Sequence, residues 1–168
     1  MSVVFNATPL ICLAKIGRIY LLRKVFGEVF VPEEVKVEVV DKGRLLGEGD
    51  AYVVEKAIED AWLKVLSVEV LEIPIKLEPG EVAVLSLAKR EGLREVLVDE
   101  ISARTAARLR GLVPRGTIFV LLKALEIKEI SLNEFLDALS ELVKHGFRLK
   151  EEVYLEAVRK VREIAKET

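Results

Sequence analysis

The stretch 95–100, EVLVDE, decides the fold class of this 168-residue chain. Its three consecutive apolar residues followed by two acids are typical of a buried strand that ends at a polar site. A helical pattern follows from about 101 to 110, and the β-prone runs 3–5 and 28–31 also lead into helical patterns. Short strands that alternate with helices predict an α/β fold with a mainly parallel sheet. Around these elements, three glycines within 42–50 predict a loop, and residues 64–70 predict a further strand.

Composition limits the architecture and the chemistry. With 51% hydrophobic and 32% charged residues, the chain can bury one sizeable core. We expect a single domain over 1–168, with a core of about 1–128 and a C-terminal helical extension of about 129–168. Cys12 and His145 are the only residues of their types, which excludes an internal disulfide and zinc sites built from several cysteines and histidines.

The distribution of apolar and charged residues bears on location and source. No apolar run approaches the roughly 20 residues that span a bilayer, and the N-terminus lacks the pattern of a secretory signal, so we expect a cytoplasmic protein without membrane association. The chain has no Gln and has Asn only at positions 6 and 133, while charged residues are abundant, which favours a thermophilic source. The formal net charge of -2 means that any nucleic-acid contact must come from a local basic patch.

Polar side chains follow two of the predicted strands. Asn6 and Thr8 come after the first strand, and Asp99 and Glu100 come after a later one. In open α/β sheets, ligands bind beyond the carboxyl ends of the strands. These four side chains are therefore candidates for a binding site.

Two helical carboxylates lie close to apolar faces. Glu38 stands among valines, and Glu81 precedes Val84 and Leu85 by three and four residues, at the start of an inward stripe. Each acid alone has a structural explanation as a helix cap, a dipole partner or half of an ion pair. Inward-facing acids without basic partners repel each other unless a cation or protons compensate, and oxygen ligands favour Mg²⁺ or Mn²⁺.

A basic segment lies near these acids in the sequence. Residues 101–125 contain five Lys or Arg residues and no acid. Arginines beside an acidic metal pocket suit a phosphodiester substrate, because guanidinium groups bind phosphate. A solvated helix face or salt bridges to acids elsewhere would explain the same segment without a substrate.

Several short motifs, in their order and spacing, carry a family resemblance over nearly the whole chain. They are the opening 6–11 (NATPLI), 31–35 (VPEEV) leading to Glu38, 79–81 (PGE), 98–100 (VDE) with Arg104 and Ala107, 116–117 (GT) and 146–149 (GFRL). In these motifs the chain resembles the PIN-domain family, in particular a branch of PIN-like prokaryotic proteins related to toxin ribonucleases.

The resemblance implies a three-layer α/β/α fold with extra C-terminal helices. For active members it also implies Mg²⁺- or Mn²⁺-dependent hydrolysis of RNA, often by the toxin of a toxin–antitoxin pair, and it implies a homodimer. The family's acidic positions fall on Asn6, Glu38, Glu81 and either Asp99 or Glu100. Asn6 departs from the usual Asp, and an amide brings no negative charge and accepts no proton from water.

Three hypotheses follow. In the first, the chain is a metal-dependent endoribonuclease in which Glu38, Glu81, Asp99 and Glu100 hold the cation and orient water, with Asn6 as a neutral ligand. Its expected substrate contacts are Thr8, Arg104, Arg108, Arg115 and Thr117. In the second, Asn6 marks lost catalysis, and the protein still binds RNA or a partner protein. In the third, the acids are surface ion pairs of a thermophilic protein.

Overall fold

A computed structural model describes residues 2–167 and contains one five-stranded parallel sheet. The strands are β1 (Ser2–Phe5), β2 (Glu28–Pro32), β3 (Leu63–Leu66), β4 (Glu95–Leu97) and β5 (Val113–Arg115). Their order across the sheet is β3-β2-β1-β4-β5, so the first strand of the chain occupies the centre. The mainly parallel sheet expected from the sequence is confirmed.

Helices connect the strands and extend beyond them. Within residues 2–167 they are α1 (Ala7–Lys15), α2 (Tyr20–Val25), α3 (Glu33–Lys36), α4 (Lys42–Leu45), α5 (Gly49–Glu59), α6 (Pro79–Arg90), α7 (Ile101–Leu109), α8 (Thr117–Glu126), α9 (Leu132–Lys144) and α10 (Glu151–Lys166). A π-helical turn (Val37–Asp41) joins α3 to α4.

The helices form layers on the two faces of the sheet. Helix α1 contacts α5 and α8, and α8 also contacts α2, whereas α6 contacts β1, β2, β4 and α7. This separation follows from right-handed crossovers, because the chain moves from β1 toward β3 across one face and from β3 toward β5 across the other. Helices α9 and α10 pack on α8. The three-layer α/β/α fold with extra C-terminal helices is thus confirmed.

The strands are apolar because helices cover both faces of the sheet. Val3, Val4 and Phe5 of β1 and Val96 and Leu97 of β4 are fully buried. Burial on both faces is the usual condition of a parallel sheet, and it explains apolar runs in place of alternation. The core is continued by α1 and α2, and the rings of Phe5 and Phe26 meet edge to face with centroids 5.8 Å apart.

The predicted loop over 42–50 is wrong in part. The helix from β2 continues through the π-helical turn into α4, and α5 begins at Gly49. A Cβ atom on Gly43 would lie 2.8 Å from Cβ of Ala51, so this glycine permits the close approach of α4 to α5. Gly43 therefore serves the packing of two helices. A count of glycines along the sequence cannot distinguish this role from that of a glycine in a loop.

The predicted strand over 64–70 is shorter than expected. Strand β3 pairs only with β2, and the last pair in their register is Pro32 with Leu66. Proline has no N–H to donate and ends β2, so β3 loses its partner at that point. The chain then runs without regular structure to Pro79, where α6 begins.

The C-terminal helices are amphipathic. The predicted capping box of α9 is present: the Oγ of Ser131 accepts from the Glu134 N–H at 3.1 Å, and Oε1 of Glu134 accepts from the Ser131 N–H at 3.2 Å.

None of the helices in the described part of the chain combines the length and apolar character that crossing a bilayer requires.

Candidate active site

Polar side chains gather where the two central strands end. Asn6 follows β1 directly and donates its backbone N–H to the carbonyl oxygen of Leu97, at the end of β4, over 3.0 Å. Asp99 and Glu100 come just after β4 and precede α7. The Asn6 side chain is buried, with 5% of its surface exposed. The pairing of β1 with β4 thus brings together residues that are more than ninety positions apart in sequence.

Glu81 is a buried acid at the start of α6. Only 7% of its surface is exposed, in keeping with its position on the apolar stripe. Its Oε1 accepts from the N–H of Glu78 at 3.0 Å, whereas its Oε2 is buried and has no hydrogen-bond partner. Burial raises the pKa of Glu81, the bond from Glu78 opposes this, and the nearby carboxylates of Glu100, Glu78 and Glu38 raise it further.

The absence of a side chain at Gly80 leaves room for two oxygen atoms next to Glu81. A Cβ atom at this position would lie 3.4 Å from Oε2 of Glu38 and 3.7 Å from Oδ1 of Asn6. Glu38 reaches this point from the π-helical turn, an irregularity that occurs frequently at functional sites. Two of the predicted ligand oxygens therefore border the same small space at the first turn of α6.

Asp99 is fixed by the start of α8. Its Oδ1 accepts from the Thr117 N–H at 2.9 Å, and its Oδ2 accepts from the Thr117 hydroxyl at 2.7 Å. Thr117 itself is fully buried. Burial raises the pKa of Asp99, while the two bonds from Thr117 and the positive charge of Arg104 act in the opposite direction. A Cβ on Gly116 would lie 2.9 Å from Oδ1 of Asp99, so this position requires glycine for the close approach.

Glu100 lies close enough to both Glu81 and Asp99 for its charge to act on them. Its side chain is exposed, and its charge raises the pKa of both Glu81 and Asp99. The four predicted acids thus lie at one edge of the sheet, and none of them forms a salt bridge within residues 2–167. This arrangement argues against surface ion pairs as their explanation. In the same part of the chain, no three His, Cys, Asp or Glu side chains lie close enough to hold a metal ion among themselves.

Three arginines form a cluster beside Asp99. Arg104 is half-buried and donates from Nη1 to the carbonyl oxygen of Val98 at 3.1 Å. Burial lowers the pKa of Arg104, and the charges of Arg108 and Arg115 lower it further, so the three guanidinium groups are neighbours. Arg115 stacks on the ring of Phe119, with 4.6 Å from Cζ to the ring centroid.

The other two cations of the basic segment lie apart from this cluster. Arg110 donates to the carbonyl oxygen of Glu72. Lys123 forms a salt bridge of 3.2 Å with Glu126 on α8. The five charges of residues 101–125 therefore divide into a cluster of three near Asp99 and two that lie apart from it. Within the cluster, Arg115 also forms a salt bridge of 3.5 Å with Glu95.

Helix α1 contributes Thr8 and a residue that the sequence analysis did not include in the site. Thr8 is partly exposed in the first turn, and Cys12 lies one turn later on the same face. Burial raises the pKa of the Cys12 thiol to about 11, and the charge of Asp99 adds to this effect. Cys12 therefore lies near Asp99. Its position four residues after Thr8, on the same face of α1, could have predicted from the sequence that it lies beside the site.

Comparison with known families agrees with the geometry. A family model described as a PIN domain matches residues 2–163, which is nearly the whole chain. Among curated proteins no match is found.

Proposed function

Because this chain belongs to the PIN-domain family, we propose that it is a metal-dependent endoribonuclease whose active site lies at the carboxyl ends of β1 and β4. The observation that carries the proposal is the buried Oε2 of Glu81, which has no partner and is surrounded by other carboxylates. A buried acid without a counter-charge is costly, and a bound cation would remove the cost.

The donor atoms at this edge fit a hard divalent cation. Asn6, Glu38 and Glu81 offer amide and carboxylate oxygens around Gly80, and oxygen ligands suit Mg²⁺ or Mn²⁺. Mg²⁺ needs only one or two protein carboxylates, since waters and substrate phosphates complete its shell. In the proposal, Glu38 and Glu81 hold the cation together with Asn6, and Asp99 and Glu100 complete the acidic edge.

The proposed reaction is hydrolysis of an RNA phosphodiester bond. When bound, Mg²⁺ or Mn²⁺ supplies Lewis-acid stabilisation of the charge that develops on the phosphate oxygens. Within the chain, the carboxylates of Glu81 and Asp99 accept hydrogen bonds from the attacking water and orient it toward phosphorus. The two bonds from Thr117 keep Asp99 in one orientation during this step.

The arginine cluster supplies the second half of the proposed site. Arg104, Arg108 and Arg115 bind phosphates of the RNA strand, since guanidinium groups bind phosphate oxygens bidentately. Thr8 offers a partly exposed hydroxyl close to Asn6. Thr117 was expected to contact substrate, but its side chain is fully buried against Asp99, so we assign it the positioning of that carboxylate instead.

Cleavage of a labelled single-stranded RNA tests the proposal. We expect cleavage with Mg²⁺ or Mn²⁺, none in EDTA, and a loss of about 100-fold or more in Glu81→Gln and Asp99→Asn. Glu59→Gln, which changes an exposed acid on α5, serves as the matched control and should cleave normally. Equal cleavage by wild type and both site variants would show that the activity does not come from this site.

A second candidate function is an RNA- or protein-binding module without catalysis. It is favoured by Asn6, which places a neutral amide at a position where active relatives use a carboxylate. This candidate predicts salt-dependent RNA binding that is unaffected by EDTA. Cleavage by the wild type that Glu81→Gln abolishes would exclude it.

The toxin role is part of the proposal and has its own test. As a toxin ribonuclease, the protein would slow the growth of a host that expresses it, and an antitoxin protein would be its partner. Expression of Glu81→Gln to the same level should leave growth unaffected. Equal growth inhibition by both forms would separate toxicity from the proposed catalytic site.

A further inference from the structure

A small groove lies between α7 and the irregular segment that precedes α6. Its volume is about 210 Å³, and its lining is apolar except for one arginine: Ile73, Pro74, Ile75, Ala106, Leu109 and Arg110. Leu109 exposes 70% of its surface. Pockets that hold drug-sized ligands have volumes of roughly 300–1,000 Å³. This groove therefore has room for a smaller group, such as one planar ring system.

Hydrogen bonds hold the irregular wall of the groove in place. The Leu71 N–H donates to the hydroxyl oxygen of Ser86 at 2.9 Å, and this hydroxyl donates in turn to a carbonyl oxygen of α6 at 2.8 Å. Ser86 is buried, so water competes little for these bonds. From α7, Arg110 donates to the carbonyl oxygen of Glu72. The irregular wall is thus attached to both helices, and the groove is preformed.

Both walls of the groove lead to the proposed active site. The irregular wall continues from Ile75 to Glu81, six residues later, and α7 begins directly after Glu100. Ala106 lies six residues after Glu100, which is about 9 Å along the helix axis. A strand with its scissile phosphate at the acidic edge can therefore place a nearby nucleotide over the groove.

Positive charge accompanies the groove. Arg110 lines it, and Nζ of Lys89 donates to the carbonyl oxygen of Arg110 at 3.2 Å. Neither cation forms a salt bridge within residues 2–167. No acid lines the groove. These charges are complementary to an anionic strand that carries a base into the groove.

We propose that this groove binds an unpaired nucleobase of the RNA strand, close to the scissile bond. Proteins that bind single strands combine cations for the backbone with surfaces on which bases stack, and guanidinium planes are among these surfaces. Leu109 and Pro74 supply apolar contact to the base. The bond from Arg110 to Glu72 uses one of the five N–H donors of the guanidinium, so others remain for the base or a phosphate.

The groove also defines the class of RNA that can bind. A base inside a duplex is stacked and paired on both sides, so only an unpaired base can enter the groove. The substrate is therefore a single-stranded RNA or a single-stranded loop. The choice of RNA as the ligand rests on the proposed ribonuclease function.

Photo-cross-linking locates the bound base without cleavage. A single-stranded RNA that contains thiouridine is bound to Glu81→Gln, which prevents cleavage in our proposal, and is then irradiated. We expect cross-links within 73–75 or 106–110. In the same background, Leu109→Ala should reduce these cross-links and weaken RNA binding about threefold or more. Leu155→Ala is the matched control, because Leu155 is 65% exposed on α10, and it should change neither. Circular dichroism verifies that each variant is folded.

Removal of single bases tests the groove in the register that cleavage defines. In a substrate that the wild type cleaves, each nucleotide in turn is replaced by an abasic one, which keeps the phosphate. We expect cleavage of a given bond to fall about threefold or more when the abasic nucleotide stands at one fixed distance from that bond. Leu109→Ala should cleave the intact and the abasic substrate at nearly equal rates.

The outcomes separate this proposal from the ribonuclease proposal. Cleavage by the wild type without cross-links to the groove and without an abasic effect would overturn the base site and leave the ribonuclease intact. Equal losses in Leu109→Ala and Leu155→Ala would also overturn the base site. Cross-links to the groove without any cleavage would support the base site and contradict the ribonuclease. Absence of any RNA binding would contradict both.

Discussion

Glu81 is a carboxyl group that the fold buries without a basic partner. Its Oε1 serves the N-terminal cap of α6, while its Oε2 receives no hydrogen bond. Burial and neighbouring carboxylates both oppose its ionisation. In the absence of a cation, this residue therefore weakens the folded state at neutral pH, as groups held ready for a ligand commonly do.

Replacement of this acid by its amide should stabilise the metal-free protein. The pKa of Glu81 is raised in the folded state, so the folded chain binds more protons than the unfolded chain. The free energy of unfolding therefore falls as the pH rises from the pKa of the unfolded chain to that of the folded chain. Glu81→Gln keeps the acceptor for Glu78 and removes the charge. We expect its Tm at pH 7 in EDTA to exceed that of the wild type by a few degrees. The difference should shrink as the pH falls below the ordinary glutamate pKa of about 4.3, because the wild-type carboxyl then becomes protonated in both states. A lower Tm than wild type at pH 7 would contradict this account.

Asn6 sets the charge of the proposed cation site. An added carboxylate at this position supplies a negative charge next to Glu38, so Asn6→Asp should bind Mn²⁺ about tenfold or more tightly than the wild type. Calorimetric titration of the metal-stripped proteins measures the change. Asn133→Asp is the matched control, since Asn133 is the only other Asn and is exposed on α9. An unchanged affinity in Asn6→Asp would show that Asn6 does not face the cation.

The sequence predicts the burial and contacts of some site residues but not of others. The burial of Glu81 follows from its spacing to Val84 and Leu85, because a helix fixes which residues share a face. The pairing of Asp99 with Thr117 does not follow, because it depends on β4 and β5 ending side by side. Contacts within one helix are predictable from spacing, whereas contacts between elements need the sheet order.

Helices α3 and α4 and the π-helical turn between them act as one element that brings Glu38 to the site. The extra residue in a π-turn changes the direction of the side chains that follow it. Glu38, inside that turn, reaches Gly80 at the start of α6. The hydrophobic pattern indicated a helix here, but no pattern of apolar residues indicates a π-turn.

The contact between α4 and α5 should be sensitive to a single methyl group. A Cβ on Gly43 would lie 2.8 Å from Cβ of Ala51, which is closer than van der Waals contact allows. We expect Gly43→Ala to lower the free energy of unfolding by about 1–3 kcal/mol, through overpacking. Urea unfolding followed by circular dichroism measures it. Gly49→Ala, where a Cβ meets nothing within 4 Å, should be close to neutral. Equal stability of both variants would show that α4 moves freely against α5.

The whole molecule brings a group of acids and a cluster of three arginines together near Asp99, despite a formal net charge of only -2. Asp99 lies close to the carboxylate of Glu100 and to Arg104, which in turn neighbours Arg108 and Arg115. An extended anion such as an RNA strand can therefore be attracted to the arginines while one phosphate approaches the acidic edge. A global charge count cannot predict this, but the acid-free segment 101–125 does indicate it.

The salt dependence of RNA binding should report the arginine cluster. In a Glu81→Gln background, which prevents cleavage in our proposal, Arg108→Gln should reduce the slope of log K against log salt concentration by about 0.7. Arg108 is exposed, so its replacement should leave the fold intact. Fluorescence anisotropy of a labelled single strand measures the slope. Arg162→Gln, an exposed change on α10, should leave it unchanged. An equal slope in Arg108→Gln and its background would exclude Arg108 as a phosphate contact.

The central position of β1 in the sheet also governs the order in which the chain can fold. During synthesis, β1 can pair with β2 once about 30 residues have been made. Its other edge can pair only with β4, which begins at Glu95 and is made much later. Until then the most apolar strand of the protein has an open edge, which is the kind of surface that promotes aggregation of nascent chains. The closure of this sheet therefore depends on contacts between distant residues, and such topologies fold slowly.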